Sequence, residues 1–360
     1  MSLARRLATI AAAALTLTAA KIPPRPLDRV IDAARFEGVA IAGDGDAPSY
    51  VRATGLAAPG VPNRATAVWR WASVSKQIAA VIVMQEIAAG HLALDASIKT
   101  YWPEWPQVFS DEITIRDLLQ HTSGLADPSD DKPLADGMPA FYRPAEGKGT
   151  MGAEATGFCA EHPRAEPHTG FHYDNCDFIV LGALLERITG QSYAALLRNR
   201  VAGPLGLDIG LFAPGEPAAG HVGGLDALGR PEILGDLGTY GAAGSLYGSP
   251  LALYAFDRAL ITHRLLDPAS TALMWKGDAR LGAAALGQWQ FMAALKGCAA
   301  PVSVVERRGQ IGGVQIRNYI LPESGRALVL FTRLGSFAYG ELWQGRGFAW
   351  EALSAVECGG

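Results

Sequence analysis

Ser73 and Lys76 are the residues of this chain whose types and spacing point most directly to chemistry. The serine precedes the lysine by three positions at the start of an apolar stretch, within the run 71–80. On a helix, this spacing puts the hydroxyl and the amine on one face, one turn apart. The N–H groups and dipole of a first turn favour a developing alkoxide, and burial there lowers a lysine pKa. The pair is therefore a candidate nucleophile and base.

A capping serine followed by a solvated lysine has the same spacing, so companion motifs must decide. The first companion is Tyr173-x-Asn175, just before an apolar helical stretch that starts at Asp177. Residues two apart on an extended loop point the same way, so a proton-moving phenol and a carbonyl-binding amide would face one site. The alternative is a loop tyrosine beside a capping asparagine.

The second companion is the glycine-rich segment 309–314, Gly-Gln-Ile-Gly-Gly-Val, which leads into a strand pattern in the C-terminal third. Glycine there lets a substrate lie against a strand edge, and a backbone N–H can hold an oxyanion. A simple turn or bulge would contain the same glycines. The value of this segment lies in its order relative to the other two motifs.

Taken in order, Ser73-x-x-Lys76, Tyr173-x-Asn175 and the glycine-rich segment near Gly312 resemble the motifs of the serine β-lactamase and penicillin-binding protein family. The class C β-lactamase branch is the most similar, with its related family VIII carboxylesterases and D-alanyl-D-alanine carboxypeptidases. Further similarity to loops of that family lies in residues 90–95, 118–125 and 244–257. The resemblance covers most of residues 30–350.

The resemblance implies a role for each matching residue. Ser73 corresponds to the acylated nucleophile, Lys76 to its base or proton acceptor, and Tyr173 to a second proton-relay group. Asn175 corresponds to the residue that orients the substrate amide. The oxyanion hole would consist of the backbone N–H groups of Ser73 and Gly313. No metal or cofactor is implied.

One position departs from the family pattern. Relatives that recognise penicillin carry Lys or His at the head of the third motif, where this chain has Gln310. A neutral amide cannot attract a substrate carboxylate, so Gln310 favours an ester or another amide over penicillin. With Asn175, the predicted substrate-binding residues are Gln310, Gly312 and Gly313. Three nearby arginines are candidates to supply the missing charge: Arg307, Arg308 and Arg317.

Composition and charge limit the partners and the compartment. The chain has 360 residues and a net charge of -4 without a basic stripe, which argues against a nucleic-acid partner. A basic start followed by the apolar run 7–20 predicts a signal peptide over residues 1–20, too short to span a membrane. An uncleaved anchor is the alternative. Either reading predicts a periplasmic or extracellular protein.

Four cysteines fit an exported chain, because an even number permits pairing. Three connectivities are possible. Proximity in the chain favours Cys159 with Cys176, which leaves Cys298 with Cys358. A zinc cluster is the alternative for the first pair, although an oxidising compartment favours the disulfide. That cluster would comprise Cys159, His162, His168, His172 and Cys176.

Strand patterns near both ends and helical patterns between them predict an α/β (α+β) fold. The resemblance implies a β-lactamase/transpeptidase-like architecture, in which an antiparallel sheet built from both chain ends is flanked by helices. Residues 21–360 would form one domain with a mostly helical insertion at about 76–290. Helical patterns cover 75–89, 177–201, 250–261 and 347–356, and strand patterns cover 302–305, 314–321 and 326–331. Residues 125–170 have the composition of a surface loop.

The motifs predict an exported serine hydrolase that acts through an acyl-enzyme on Ser73. Its substrate would be a small molecule or short peptide: a β-lactam, a D-Ala peptide or a carboxylic ester. A non-catalytic binding protein with the same fold is the alternative, and the intact motif residues argue against it. An α/β-hydrolase is the enzyme alternative, but the absence of Gly-x-Ser-x-Gly argues against it, and His121 has the setting of a structural turn.

Overall fold

The computed structural model describes residues 25–145, 148–161 and 163–359. The predicted signal peptide and His162 lie outside the described residues. The strands are β1 (Gly38–Gly43), β2 (Tyr50–Thr54), β3 (Leu56–Ala58), β4 (Val61–Pro62), β5 (Trp69–Arg70), β6 (Ile209–Leu211), β7 (Leu246–Gly248), β8 (Trp289–Ala293), β9 (Val302–Ile311), β10 (Val314–Leu321) and β11 (Arg326–Thr332).

The helices connect and cover these strands. They are α1 (Pro26–Ala33), α2 (Ser75–Ala88), α3 (Ile98–Tyr101), α4 (Ile115–Gln120), α5 (Met151–Thr156), α6 (Phe158–Glu161), α7 (Cys176–Thr189), α8 (Tyr193–Leu197), α9 (Gly203–Leu205), α10 (Gly241–Gly244), α11 (Pro250–Ile261), α12 (Pro268–Met274) and α13 (Phe348–Glu357). The helical patterns at 75–89 and 250–261 correspond to α2 and α11.

The main sheet is antiparallel and has the strand order β2-β1-β11-β10-β9-β8. Its first two strands come from the N-terminal part of the chain and the other four from the C-terminal part. They meet in the middle of the sheet, where Ile41 of β1 pairs with Val329 of β11. The predicted fold, a sheet built from both ends and flanked by helices, is confirmed.

Helices cover both faces of this sheet. Val329 and Phe331 of β11 pack in the core beside α2 and α11, whereas Leu328 and Leu330 pack on the opposite face with α1 and α13. Successive strand residues point to opposite faces, so a strand covered on both faces needs apolar residues throughout. This accounts for the uninterrupted apolar run of β11.

Helix α2 carries the candidate nucleophile motif and is buried on all sides. Every residue from Ile78 to Met84 has an exposure of 1% or less. A helix that is apolar around its whole circumference belongs inside a core rather than on a surface. The surrounding helices and the sheet therefore fix the position of its first turn.

Residues 125–170 form a surface loop only in part: residues 132–137 are exposed, as the composition predicts, whereas short helices lie elsewhere in the segment. Phe141 and Tyr142 are buried, and α5 packs against α7. Disulfide bonds join Cys159 to Cys176 and Cys298 to Cys358, so the zinc alternative loses both of its thiolates. Apolar residues in this segment are too widely spaced to produce a periodic pattern, so its composition did not reveal these short helices and buried aromatic residues.

We expect the Cys159–Cys176 disulfide to stabilise the fold, because it closes a loop of 17 residues at the start of α7. Replacing both cysteines with alanine should lower the free energy of unfolding by about 3 kcal/mol, as measured by chemical denaturation. The same double replacement at Cys298 and Cys358, whose disulfide closes a loop of 60 residues, should cost somewhat more, because the stabilisation grows with loop length. A loss below about 1 kcal/mol in the first variant would contradict a structural role for that disulfide.

Candidate active site

Ser73 lies in a short 3-10 turn, Ala72–Val74, which leads directly into α2. The preceding Ala72 is fully buried and has a φ of 49°, a left-handed conformation that is rare for a residue other than glycine. Such strain persists only where the surrounding structure enforces it. Ser73 itself is partly exposed while its neighbours are buried, so this turn presents its hydroxyl to the solvent side of the site.

The Lys76 side chain lies beneath Ser73 and is fully buried. Its Nζ donates to Ser73 Oγ at 3.3 Å, to Asn175 Oδ1 at 2.6 Å and to the carbonyl of Ala243 at 3.0 Å. Burial lowers the pKa of Lys76, and the charge of Arg307 lowers it further, although Tyr173 opposes this effect. Lys76 is thus placed to donate hydrogen bonds and to exchange a proton within the site.

The phenol of Tyr173 is the closest ionisable group to the candidate nucleophile. Its hydroxyl donates to Ser73 Oγ at 2.8 Å. Burial raises the pKa of Tyr173, but the positive charges of Lys76 and Arg307 outweigh burial and bring the pKa down to about 8. A phenol with that pKa is ionised in part near neutral pH and then accepts the Ser73 proton instead of donating its own.

Asn175 connects this group to the opposite wall of the site. Its Oδ1 accepts from Lys76, and its Nδ2 donates to the hydroxyl of Tyr142 at 3.1 Å. The ring of Tyr142 in turn stacks on that of Tyr240 at 4.3 Å. The four predicted residues Ser73, Lys76, Tyr173 and Asn175 therefore converge on one site.

Arg307 is a fifth member of this site, whereas from the sequence it was only one of three arginines that are candidates to supply the missing charge. Its Nε donates to the carbonyl of Ser73 at 2.7 Å, and its Nη2 donates to the hydroxyl of Tyr173 at 2.9 Å. The guanidinium also lies 5.1 Å from the ring of Trp289. The positive charge that Gln310 cannot supply is thus present three residues earlier in the chain.

The structure corrects the position of the third motif. Strand β9 runs alongside residues 70–73. Arg307 donates to the Ser73 carbonyl, and Arg70 donates to the Ile311 carbonyl. Between these contacts, a Cβ added to Gly309 would lie 2.4 Å from the Trp71 carbonyl oxygen. Only glycine permits so close an approach of β9 to the turn that holds Ser73. The segment beside Ser73 is therefore Arg307-Arg308-Gly309.

Gly312 and Gly313 do not lie beside Ser73. They form the two-residue turn between β9 and β10, with a φ of 55° at Gly312. The N–H of Gly313 donates to Glu232 Oε2 at 2.7 Å, so the structure does not support its predicted use for an oxyanion. The side chain of Gln310 is exposed. The sequence prediction placed the third motif three residues too far along the chain, because glycines occur at both 309 and 312. That shift accounts for the predicted roles of Gln310, Gly312 and Gly313.

Strand pairing identifies a different backbone donor. Ile311 and Val314 flank the two-residue turn and form a hydrogen-bonded pair, so the pair Gln310 and Gln315 is of the non-hydrogen-bonded kind. The N–H of Gln310 consequently points away from β10, towards the other edge of β9. Strand β8 covers that edge only as far as Trp289, opposite Glu306. The edge is therefore open near Gln310, on the strand that contacts Ser73.

A sequence model described as Beta-lactamase matches residues 27–342. The chain belongs to the beta-lactamase family. Within this family it is 34% identical over 232 residues to esterase EstB of Burkholderia gladioli, a match that covers 57% of this chain and 55% of the esterase. It is 29% identical over 253 residues to penicillin-binding protein 4 of Amycolatopsis lactamdurans, covering 65% and 62%. The match thus spans somewhat more than half the length of these relatives.

Solved structures support the same assignment at the level of the fold. The D-amino acid amidase of Ochrobactrum anthropi SV3, in complex with L-phenylalanine amide, superposes with a TM-score of 0.74 over 92% of this chain and 98% of that chain, at 21% identity. A D-stereospecific amidohydrolase from Streptomyces sp. gives a TM-score of 0.71, covering 93% and 98%, at 22% identity. At these identities the likeness concerns the fold alone. The predicted family is confirmed.

Behind Tyr173, this beta-lactamase family member contains a buried cluster of His121, Asp174 and Asp177. Their possible metal-ligating atoms lie within 4.8 Å of one another. His121 Nδ1 bonds Asp177 Oδ2 at 2.8 Å, and the Asp177 N–H donates to Asp174 Oδ1 at 2.7 Å. Burial raises the pKa of both carboxyl groups and lowers that of His121. Burial thus disfavours charge on all three members of this cluster.

The cluster supports the site mechanically. Asp174 stands between Tyr173 and Asn175 in the chain, and the His121 ring lies 4.5 Å from the ring of Tyr173. The bonds from His121 and Asp174 meet at Asp177, in the first turn of α7. The loop that carries the phenol and the amide is thereby fixed to a buried helix.

We expect this cluster to make stability depend on pH. A carboxyl group whose pKa is raised on folding keeps a proton that the unfolded chain loses. Its contribution to the free energy of unfolding is therefore largest at low pH and falls as the pH rises above about 4. Asp174→Asn should reduce this fall, as measured by the melting temperature between pH 4 and 8. Asp95→Asn, at an exposed ion pair with Arg116, is the control. An unchanged slope in Asp174→Asn would contradict the assignment.

Proposed function

We propose that this protein is a serine hydrolase that forms an acyl-enzyme on Ser73 with carboxylic esters or amides. The observation that carries the proposal is the 2.8 Å hydrogen bond between Tyr173 and Ser73 Oγ, next to the cations Lys76 and Arg307. Covalent catalysis requires a nucleophile and a base with a suitable pKa. Ser73 is the nucleophile, and the two cations lower the pKa of the base Tyr173. A binding protein without turnover would not need the lowered pKa.

Acylation would proceed by proton transfer and attack. The Tyr173 phenolate accepts the proton of Ser73, and Oγ forms a bond to the substrate carbonyl carbon while the π electrons move to oxygen. The backbone N–H groups of Ser73 and Gln310 are the candidate donors to this oxyanion. When the intermediate collapses, the alcohol or amine leaves with the proton that Tyr173 carries, and Lys76 stabilises the phenolate again.

Deacylation would repeat these steps with water as the nucleophile. Tyr173 accepts a proton from water, the hydroxyl attacks the acyl carbonyl, and collapse of the intermediate breaks its bond to Ser73 Oγ. Ser73 then takes the proton from Tyr173, and the carboxylic acid is released. The same ionisable group thus acts as base and then as acid in both halves of the reaction.

The contacts of Arg307 favour substrates without a carboxylate beside the reacting carbonyl. Two of its five N–H donors are already used by the Ser73 carbonyl and the Tyr173 hydroxyl, and the side chain is 1% exposed, so little of the guanidinium is accessible to a substrate carboxylate. This supports esters and amides without such a carboxylate over β-lactams, in line with the name of the relative esterase EstB. Penicillin-binding protein 4 is the relative whose name favours the other choice.

We also propose that the protein is exported. Two disulfides lie within the described chain, and structural disulfides persist in oxidising compartments. No helix among the described residues is long and apolar enough to cross a membrane. The proposed signal peptide at residues 1–20 is testable by N-terminal sequencing of the secreted protein.

Covalent labelling tests the nucleophile directly. A fluorophosphonate should add to the purified protein at Ser73, with the site located by mass spectrometry of the modified peptide. Ser73→Ala should abolish the adduct, whereas the exposed control Ser129→Ala should label at the wild-type rate. Absence of an adduct on the wild type would overturn the proposal and favour a non-catalytic binding protein.

The pH dependence tests the base. Since the phenolate of Tyr173 is the reactive form, kcat/KM for a p-nitrophenyl ester should rise with pH, with a midpoint near the Tyr173 pKa of about 8. Arg307→Gln removes a positive charge, so the Tyr173 pKa and the midpoint should both move upward. Arg307→Lys keeps the charge and should move the midpoint less. Equal midpoints in Arg307→Gln and the wild type would exclude Arg307 as the group that sets this pKa.

A further inference from the structure

A cavity of about 420 Å³ lies immediately beside the site, at the edge of the main sheet. Its walls include three aromatic side chains, Trp289, Phe291 and Trp343, together with Met292 and Arg308. Trp343 and Met292 are 65% and 59% exposed, which is unusual for side chains this apolar. A cavity of about 150 Å³ already accommodates a benzene ring, so this one has room for an aromatic ring with its linker.

Trp289 joins this cavity to the catalytic residues. Its ring is nearly parallel to that of Tyr173, with 6.3 Å between centroids, and it lies 5.1 Å from the Arg307 guanidinium. The same Trp289 side chain lines the cavity. One ring thus separates the cavity from the groups that contact Ser73 Oγ.

The open edge of β9 leads from Ser73 to the same cavity. Arg308 lies next to Arg307 in β9, and its backbone N–H and C=O share the edge that Gln310 uses, beyond the end of β8. The side chain of Arg308 lines the cavity and lies 5.0 Å from the ring of Trp343. Since successive strand residues point to opposite faces, the Arg308 side chain lies on the other face of β9 from Arg307. A substrate held along this edge would therefore reach around it, past Trp289, to place a side group in the cavity.

Charges in the cavity wall are already paired within the protein. Arg308 donates to both carboxylate oxygens of Glu306, at 2.7 and 3.0 Å, and lies 2.6 Å from Glu341. Arg317 is a second cation near Glu306, at 4.0 Å. Two arginines therefore balance two glutamates, and no net charge remains for a charged ligand. The group that fits is uncharged and apolar.

We propose that this cavity is a specificity subsite that binds an aromatic or extended aliphatic side group of the substrate. This inference rests on the proposed hydrolase function, because it assigns the substrate class of the same site. It makes Trp343 a specificity-determining residue that contacts the substrate side group without taking part in bond breaking. Small acyl donors would react without using the cavity.

The kinetic test compares two p-nitrophenyl esters that differ in the acyl group, acetate and 4-phenylbutyrate. The wild type should prefer 4-phenylbutyrate in kcat/KM, and Trp343→Ala should reduce this preference roughly tenfold while leaving acetate hydrolysis unchanged. The matched control is Leu228→Ala, at a side chain that is 74% exposed and lies outside the cavity. A second series with acetate esters of methanol and 2-phenylethanol tests the leaving-group side.

A preference on either side that Trp343→Ala removes supports the proposal and identifies which part of the substrate uses the cavity. Equal preference in Trp343→Ala and the wild type, in both series, overturns it while the hydrolase function stands. A protein that hydrolyses no ester is tested by binding instead. The Ser73→Ala variant should bind 4-phenylbutyramide in calorimetry, and the double variant with Trp343→Ala should bind it at least tenfold more weakly. No binding to Ser73→Ala, or equal binding, overturns the subsite.

Discussion

A buried guanidinium holds the candidate active site together. Arg307 leaves water on folding, which costs several kcal/mol unless polar groups replace the lost hydration. Among the described residues its hydrogen-bond partners are the carbonyl of Ser73 and the hydroxyl of Tyr173. The carbonyl is neutral, and so is the hydroxyl while it keeps its proton. With Lys76 also buried nearby, the site has an excess of positive charge. That excess favours an anion, which is either the Tyr173 phenolate or an oxyanion formed from substrate.

The surrounding fold explains how these cations are kept in place. Helix α2 is enclosed by apolar neighbours, so its first turn cannot move to relieve the left-handed conformation at Ala72. Gly309 allows β9 to approach that turn within backbone contact. On the other side, the cluster of His121, Asp174 and Asp177 anchors the loop of Tyr173 through buried hydrogen bonds. Strand β9 and the loop of Tyr173, which are far apart in sequence, thus meet at Ser73 with little freedom to separate.

Much of this arrangement could be predicted from the residues. The Ser73 and Lys76 spacing depends only on helix geometry, and Tyr173-x-Asn175 depends only on the alternation of an extended loop. The third motif could not be placed in the same way, because a glycine suits a close approach at 309 and a turn at 312 equally well. Only the pairing of β9 with β10, and its contacts with residues 70–73, distinguish the two.

The sequence by itself determined the family, the sheet built from both chain ends, and four of the side chains that meet around Ser73, since local spacing and the order of motifs carry that information. Only the tertiary structure decided that Arg307 supplies the positive charge that Gln310 lacks. It alone also decided that Trp289 links the site to a cavity. Both depend on which residues of separate strands and helices come within a few ångströms. No local pattern encodes those distances, because they follow from packing across the whole core.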